Sequence, residues 1–230
     1  MKISAAKVAL IAVFAALQAL LSVFPFTITI GTSGQITLGV IGGPLIGILL
    51  GPFFGGAAVL VGSVVGVFLN PAGALFGFLT VVPPTVGAFA AGWTRLRRGY
   101  FAGATILVFL LIFYANPVGR EAFTYTWFHM IAMIVAFSSI VYVEKPTFDS
   151  YDTRRSIAGI TIAALVGVLS DHIAGSAIAA WYFPPFPPAI WYSVMFIYPV
   201  ERIVAFLLTT LIAVPLYYSI KRSGLAEKLK

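Results

Sequence analysis

The sequence predicts an all-α polytopic membrane protein, a bundle of six to eight transmembrane helices in a single domain over 1–230. Of the 230 residues, 60% are apolar and 9% are charged, and the mean hydropathy is +1.03. A soluble domain of this size cannot bury so much apolar surface. The interval from Val8 to Thr94 contains no Asp, Glu, Lys or Arg. A spanning helix needs about 20 apolar residues, so this interval alone has room for three or four.

Eight apolar runs, bounded by turn signals, are the candidate spans in chain order. The first follows Lys2 and Lys7 and lacks a small-x-small cleavage pattern, which predicts a retained helix rather than a signal peptide. The others are separated by proline, glycine, asparagine or charged residues. The runs are 4–24, 36–51, 53–69, 74–93, 100–115, 125–143, 156–182 and 193–220.

The interval 36–69 crosses either twice as two short helices or once as a kinked helix. Four basic clusters decide between these alternatives, and they hold twelve of the fourteen basic residues. They fall on one side of the membrane when the interval crosses twice, with a break at Gly51-Pro52. Since basic residues collect on the cytoplasmic side, the sequence predicts two short crossings with cytoplasmic N and C termini. A re-entrant pair of helices would also place the four basic clusters on one side of the membrane, so this alternative stays open. The clusters are Lys2/Lys7, Arg95/Arg97/Arg98, Lys145/Arg154/Arg155 and Lys221/Arg222/Lys228/Lys230.

A glycine recurs every four residues through this interval, at Gly39, Gly43, Gly47, Gly51 and Gly55. On a helix this spacing places small residues along one face, where another backbone approaches closely. Pro52 lacks a helix donor, which suits the predicted break. The pattern therefore indicates a close-packed helical hairpin.

Asn70-Pro71-Ala72 matches the tripeptide found on the two half-helices of aquaporins. A second copy is expected about half a chain away, but Asn116-Pro117-Val118 follows only 46 residues later. The sequence therefore argues against an aquaporin and favours a turn between two helices.

Three stretches resemble the substrate-binding S subunits of energy-coupling factor transporters, which import vitamins and related micronutrients. KVALIAVFAALQALLSVFPF is similar to their alanine-rich first helix, and YPVERIVAFLLTTLIAVPLYYSIKRSGL to their last. GQITLGVIGGPLIGILLGPFFGGAAVLVGSVVGVFLNPAG resembles their glycine-rich second and third helices, most of all those of the biotin-type subunits. The likeness covers about 5–95 and 157–225. That family usually has six spans, and the excess here is 100–143.

The resemblance implies partners and two kinds of site. A transmembrane coupling subunit and ATPase subunits would act in trans, and no phosphate-binding loop motif occurs in this sequence. Family members dock through an Ala-x-x-x-Ala face of the first helix, which corresponds here to Ala12 and Ala16. Their first outer loop caps the ligand, which implies a role for Gln35 and Thr37; Asn70 closes the adjacent predicted outer turn.

Ionisable residues within the predicted spans mark a candidate site, because charges in a bilayer are costly. Asp171 and Glu201 both lie at a depth of ~15 Å in consecutive spans, so they and their neighbours His172 and Arg202 can meet. Three interpretations stay open: a structural ion pair, as Asp171–Arg202 or His172–Glu201, the polar floor of an outward-facing cavity, and a proton relay. His129 lies alone in the sixth span, which favours a helix–helix hydrogen bond.

The sequence disfavours a catalytic triad, a metal site and a cofactor site. Ser170-Asp171-His172 cannot form a triad, because consecutive helical residues point ~100° apart. Two distant histidines and no cysteine predict no metal site, and no cofactor is indicated. Aromatic residues at 181–198 indicate either an interfacial belt or, for Trp181 and Tyr198, stacking on a planar ligand.

The sequence therefore predicts a non-enzymatic membrane subunit that captures a small molecule in the lipid bilayer and binds no nucleic acid. The alternative is a self-sufficient secondary transporter or channel, in which Asp171 and Glu201 handle protons or ions.

Overall fold

The computed structural model describes residues 5–24, 37–142, 153–182 and 187–223, and within these ranges it contains helices and no β-strand, so the fold is all-α. Three short 3₁₀ segments connect the α-helices, at Pro71–Gly73, Gly77–Val81 and Phe123–Thr126. The α-helices are α1 (Ala5–Val23), α2 (Gly39–Leu50), α3 (Pro52–Leu69), α4 (Val82–Arg95), α5 (Gly99–Ala115), α6 (Pro117–Glu121), α7 (Trp127–Tyr142), α8 (Thr153–Tyr182), α9 (Pro188–Val194) and α10 (Tyr198–Arg222).

Eight of these helices form the bundle, and α6 and α9 are short connections. Helix α8 is the longest at 30 residues and packs along α4 and α10. It runs antiparallel to α10: His172 lies beside Tyr198 near one end, whereas Ala164 and Ala213 belong to one apolar cluster nearer the other. The first residues of α8 and the last of α10 therefore lie at the same end of the bundle.

Helix α2 occupies the centre, and all twelve of its residues are buried. At 1.5 Å per residue it is only ~18 Å long. The helix break predicted at Gly51-Pro52 is present: Gly51 adopts a positive φ of 82°, and Pro52 begins α3 without needing a hydrogen-bond partner for its nitrogen. Helix α2 is short, but other helices enclose it. None of its backbone therefore faces the surroundings of the bundle.

Two glycines of the four-residue series in α2, Gly43 and Gly47, lie against another backbone as the spacing predicts, whereas Gly39 lies against side chains. A Cβ added at Gly47 would lie 2.1 Å from the Ala88 carbonyl oxygen in α4, and one at Gly43 would lie 2.6 Å from that of Pro84. On α3, a Cβ at Gly55 would lie 2.9 Å from the Gly47 Cα. Helices α2, α3 and α4 therefore meet at backbone distance, which no larger residue permits.

Some apolar runs differ from the helices they form. The run 74–93 becomes the 3₁₀ turns up to Val81 and then α4, because Gly77 has a positive φ of 56° and the prolines at 83 and 84 suit a first helical turn. The run 193–220 is divided, because α9 ends at Val194 and α10 begins at Tyr198.

Three described helices are long and apolar enough to cross a membrane: Pro52–Leu69, Arg154–Tyr182 and Tyr198–Arg222. Four further apolar helices are shorter, with 10–17 residues. Large apolar side chains are exposed on the outside of the bundle, among them Phe53, Phe68 and Leu211 at 66–69% exposure.

The two ends of the bundle differ in charge. At one end lie the turn at Gly51, the α4–α5 turn with Arg97 and Arg98, and the basic residues Arg154 and Lys221. At the other end lie the last residues of α1, α3 and α8 and the connections through α6 and α9. We call these the basic end and the loop end.

Candidate functional site

A cavity of about 370 Å³ lies between the helices toward the loop end. Its walls come from α1, the start of α2, the second half of α3, the start of α4, α8 and the start of α10. The connection after α3 covers one side with Asn70, Leu75 and Phe76. This volume falls within the range of small-molecule sites, about 300–1,000 Å³.

One wall of the cavity is charged. Asp171 and His172 come from α8, and Arg202 comes from the start of α10; all three line the cavity. Asp171 is 7% exposed and Arg202 5% exposed, so both charges are largely withdrawn from solvent. Arg202 interacts electrostatically with Asp171. Gly87 makes room for the acidic residue, because a Cβ there would lie 3.0 Å from the Asp171 Cβ.

The opposite wall is polar but uncharged. Gln18 of α1 is fully buried, and its Nε2 donates to the Ser63 hydroxyl of α3 over 3.3 Å and to that of Ser22 over 3.5 Å. The Ser22 hydroxyl in turn donates to the Gln18 carbonyl oxygen. Asn70 accepts a hydrogen bond from the Gly73 nitrogen and so holds the turn that leads away from α3. All four side chains line the cavity.

A buried cluster of histidine and tyrosine lies behind the charged wall. His172 Nδ1 and His129 Nε2 are 2.9 Å apart, and the two rings stack with centroids 5.0 Å apart. The Tyr198 ring packs against both histidines, with its centroid 5.2 Å from that of His129 and 4.6 Å from that of His172. The Tyr125 hydroxyl lies 3.4 Å from His172 Nε2 and 2.9 Å from the Ser176 hydroxyl. Four polar rings therefore form one connected unit, and Tyr125 and His172 present it to the cavity.

Buried polar atoms without a partner concentrate around the cavity. Five such side-chain atoms occur in the described part of the chain, and three of them belong to cavity-lining residues: Gln18 Oε1, Trp191 Nε1 and Arg202 Nε. A buried polar group without a hydrogen bond costs about 1–3 kcal/mol. The three atoms are themselves enclosed by protein, so their lack of partners is a cost to the fold in this region.

The structure brings four of the predicted site residues to this cavity: Asp171, His172, Arg202 and Asn70. Thr37 also lines it, and its hydroxyl accepts a hydrogen bond from the Gly39 nitrogen.

The remaining predicted binding residues lie elsewhere. Glu201 is half-buried in the first turn of α10 and is not among the lining residues. Trp181 is 56% exposed, donates its Nε1 to the Ile112 carbonyl oxygen and borders a separate shallow hollow. Tyr198 is buried behind the histidines and does not line the cavity. Gln35 lies outside the described residues.

Two expectations about the histidines need correction. His129 is not alone: it pairs with His172, because α7 and α8 bring the two rings into contact. A helix–helix hydrogen bond is nevertheless the role that the sequence favoured for His129. His172 therefore does not use its Nδ1 for Glu201.

The predicted docking residues Ala12 and Ala16 are exposed on α1.

Sequence reasoning missed Gln18, Ser63, Tyr125 and Trp191. A signal existed for Gln18, which is the single polar residue between Val8 and Leu21 of the first helix. Tyr125 and Trp191 belong to aromatic-rich connections in which most rings point outward, so composition alone does not distinguish them.

No family model matches the chain, and no solved structure matches it. A relative among curated proteins is the uncharacterized protein MJ0923 of Methanocaldococcus jannaschii, which is 29% identical over 175 residues. The matched region covers 76% of this chain and 58% of that protein, so the chain spans less than two thirds of the relative's length.

Proposed function

We propose that this chain is a multi-pass membrane protein that captures a small molecule at its loop end, as the S subunit of an energy-coupling factor importer does. The observation that carries the proposal is the cavity, which combines a volume suited to a small ligand with two charged residues on one wall and uncharged polar side chains on another. Such a combination is typical of ligand sites between helices.

Eight bundle helices alternate in direction, which corresponds to eight crossings with both termini at the basic end. The exposed apolar side chains would face lipid, and central α2 would be shielded by its neighbours. With basic residues on the cytoplasmic side, the cavity opens away from the cytoplasm, as import requires.

Mass spectrometry of small molecules that co-purify with the protein tests capture. Val67 of α3 lines the cavity, whereas Val65 of the same helix is 43% exposed on the outside. We expect Val67→Trp to fill the cavity and abolish co-purification, and Val65→Trp to leave it unchanged. An equal yield of the same molecule from both variants would contradict the proposed site.

A self-sufficient secondary transporter is the second candidate, and the connected Tyr125–His172–His129–Tyr198 unit favours it, because such chains can relay protons. Reconstitution separates the two. A capture subunit in liposomes binds its ligand but accumulates none until the coupling and ATPase subunits are added together with ATP. A secondary transporter accumulates ligand alone when a proton gradient is imposed.

Docking of the coupling subunit on α1 has its own test, because Ala12 and Ala16 are exposed there. We expect Ala12→Trp to reduce co-purification with the coupling subunit while ligand capture is retained. The matched control is Leu211→Trp on α10, a position that is 69% exposed. An equal loss with both variants would argue against a specific contact at α1.

A further inference from the structure

The carboxylate of Asp171 lies at the cavity without a hydrogen-bond partner. The residue is 7% exposed and lines the cavity. Within the described ranges no donor forms a hydrogen bond to its two oxygens, and its electrostatic interaction is with Arg202. Neither oxygen is among the unpartnered polar atoms that the described part of the protein encloses completely. The carboxylate is therefore open to a molecule in the cavity, which can supply the missing donor.

The charges around the cavity do not balance once Glu201 is included. Arg202 is the cationic side chain that lines the cavity in the described part of the chain. It interacts electrostatically with both Asp171 and Glu201, and Glu201 is half-buried outside the lining. Two carboxylates thus share one guanidinium group, which leaves one negative charge in excess when the nearby histidines are neutral.

The histidine pair does not restore the balance. Its 2.9 Å hydrogen bond requires a lone pair on one of the two facing nitrogens, so His129 and His172 are not both imidazolium in this arrangement. Arg202 also interacts electrostatically with both rings and opposes a positive charge on either. Tyr125, the remaining titratable side chain of the described lining, is an uncharged phenol at pH 7. The excess negative charge therefore stays, and Asp171 is the carboxylate that presents it to the cavity.

Aromatic side chains line the same cavity. Phe76 comes from the connection after α3, Tyr125 from the 3₁₀ segment Phe123–Thr126, and Trp191 from α9. Aromatic rings attract a cation through the negative charge of their faces, and the attraction is stronger where water is excluded. A cavity that combines an open carboxylate with aromatic rings is therefore better suited to a cation than to an anion.

We propose that the captured molecule carries a positively charged nitrogen with N–H donors, as a protonated amine, an amidinium or a guanidinium does, and that Asp171 binds this group. The N–H donors supply the hydrogen bonds that the carboxylate lacks, and the positive charge offsets the excess negative charge. Hydrogen bonds between charged partners are about twice as strong as those between neutral ones. This inference names the class of ligand for the proposed capture function and rests on that function.

Three compounds of nearly equal shape test the charge of the ligand: benzamidinium is a cation, benzamide is neutral and benzoate is an anion. Binding is measured at pH 7 on the full chain in detergent, by the shift in melting temperature and by calorimetric titration. We expect benzamidinium to bind most tightly, by on the order of tenfold to hundredfold in Kd, since a hydrogen bond to a charged group contributes on that scale. Benzoate should bind most weakly, because Asp171 and Glu201 both repel it.

Variants that change one charge assign the preference to Asp171. Asp171→Asn removes the accepting charge and should abolish the preference for benzamidinium over benzamide. The matched control is Glu121→Gln, which removes an exposed carboxylate of α6 that does not line the cavity and should leave the Kd for benzamidinium unchanged. Arg202→Gln removes a repelling charge and should tighten the binding of benzamidinium. This variant and the order of preference of the parent carry the test if Asp171→Asn does not fold.

The outcomes separate this inference from the proposed function. If the parent binds benzamide or benzoate at least as tightly as benzamidinium, the cationic-ligand inference is wrong and capture still stands. An equal change in benzamidinium binding for Asp171→Asn and Glu121→Gln would contradict the role of Asp171. If the parent retains no small molecule on purification and binds none of the three probes, both the inference and the capture function are wrong.

Discussion

Gly47→Ala should destabilise the bundle at its centre, because Gly47 has no room for even one methyl group. The new Cβ would lie 2.1 Å from the Ala88 carbonyl oxygen and 2.8 Å from the Ala88 carbonyl carbon. Ordinary contact begins near 3.4 Å, so α2 and α4 must separate by more than 1 Å at this point. Both atoms belong to helix backbone, and a rotamer change cannot move them. Overpacking of this kind costs about 1–3 kcal/mol.

The matched control is Gly175→Ala in α8, where the nearest atom to an added Cβ is 3.7 Å away, in the Pro83 ring. Alanine is the better helix former by about 0.5–1 kcal/mol, so this change should be neutral or stabilising. Thermal unfolding in one detergent, followed by circular dichroism, compares the two variants with the parent. We expect a lower melting temperature for Gly47→Ala alone. Equal melting temperatures for the two variants would refute the backbone contact between α2 and α4.

Two further predictions concern topology and the histidine pair. The chain has no cysteine, so single cysteines can be placed at Arg98, in the turn between α4 and α5, and at Phe123, which is 54% exposed near the loop end. We expect an impermeant thiol reagent to label position 123 and not 98 in intact cells, and the reverse result would invert the membrane orientation. His129→Ala leaves His172 Nδ1 without its partner and should lower stability by about 1–3 kcal/mol. A double-mutant cycle with His172→Ala should show a coupling energy of at least about 0.5 kcal/mol, whereas additive effects would contradict the direct hydrogen bond.

The helices and the central hairpin follow from the sequence because their causes are local. Apolar runs between prolines and glycines set the helices, and a glycine every four residues leaves α2 able to approach a neighbouring backbone. The break at Gly51-Pro52 needs a positive φ followed by a missing donor, and the two residue types supply both. The position of Asp171 along α8 is likewise predictable, because it follows from the number of residues between Asp171 and the end of the helix.

The direction in which each side chain points is harder to predict. A helix in lipid is apolar on its outer and its inner face, so its sequence lacks the polar stripe that orients a helix in a soluble protein. Trp181 was for this reason a plausible ligand contact, although it is exposed outside the bundle, whereas Trp191, ten residues later, lines the cavity. The pairing of His129 with His172 depends on how α7 and α8 pack, which no spacing along the chain encodes.

The position of Arg202 favours a ligand over a purely structural ion pair. It lines the cavity near the start of α10, and its Nε is buried without a partner. A pair that served only to join α8 and α10 would be more stable with every donor satisfied. Arg202 instead stands at the cavity wall with Asp171 and His172, where the cavity leaves room for a small molecule. The charges that are costly to bury in the empty structure are therefore charges that a polar ligand can approach.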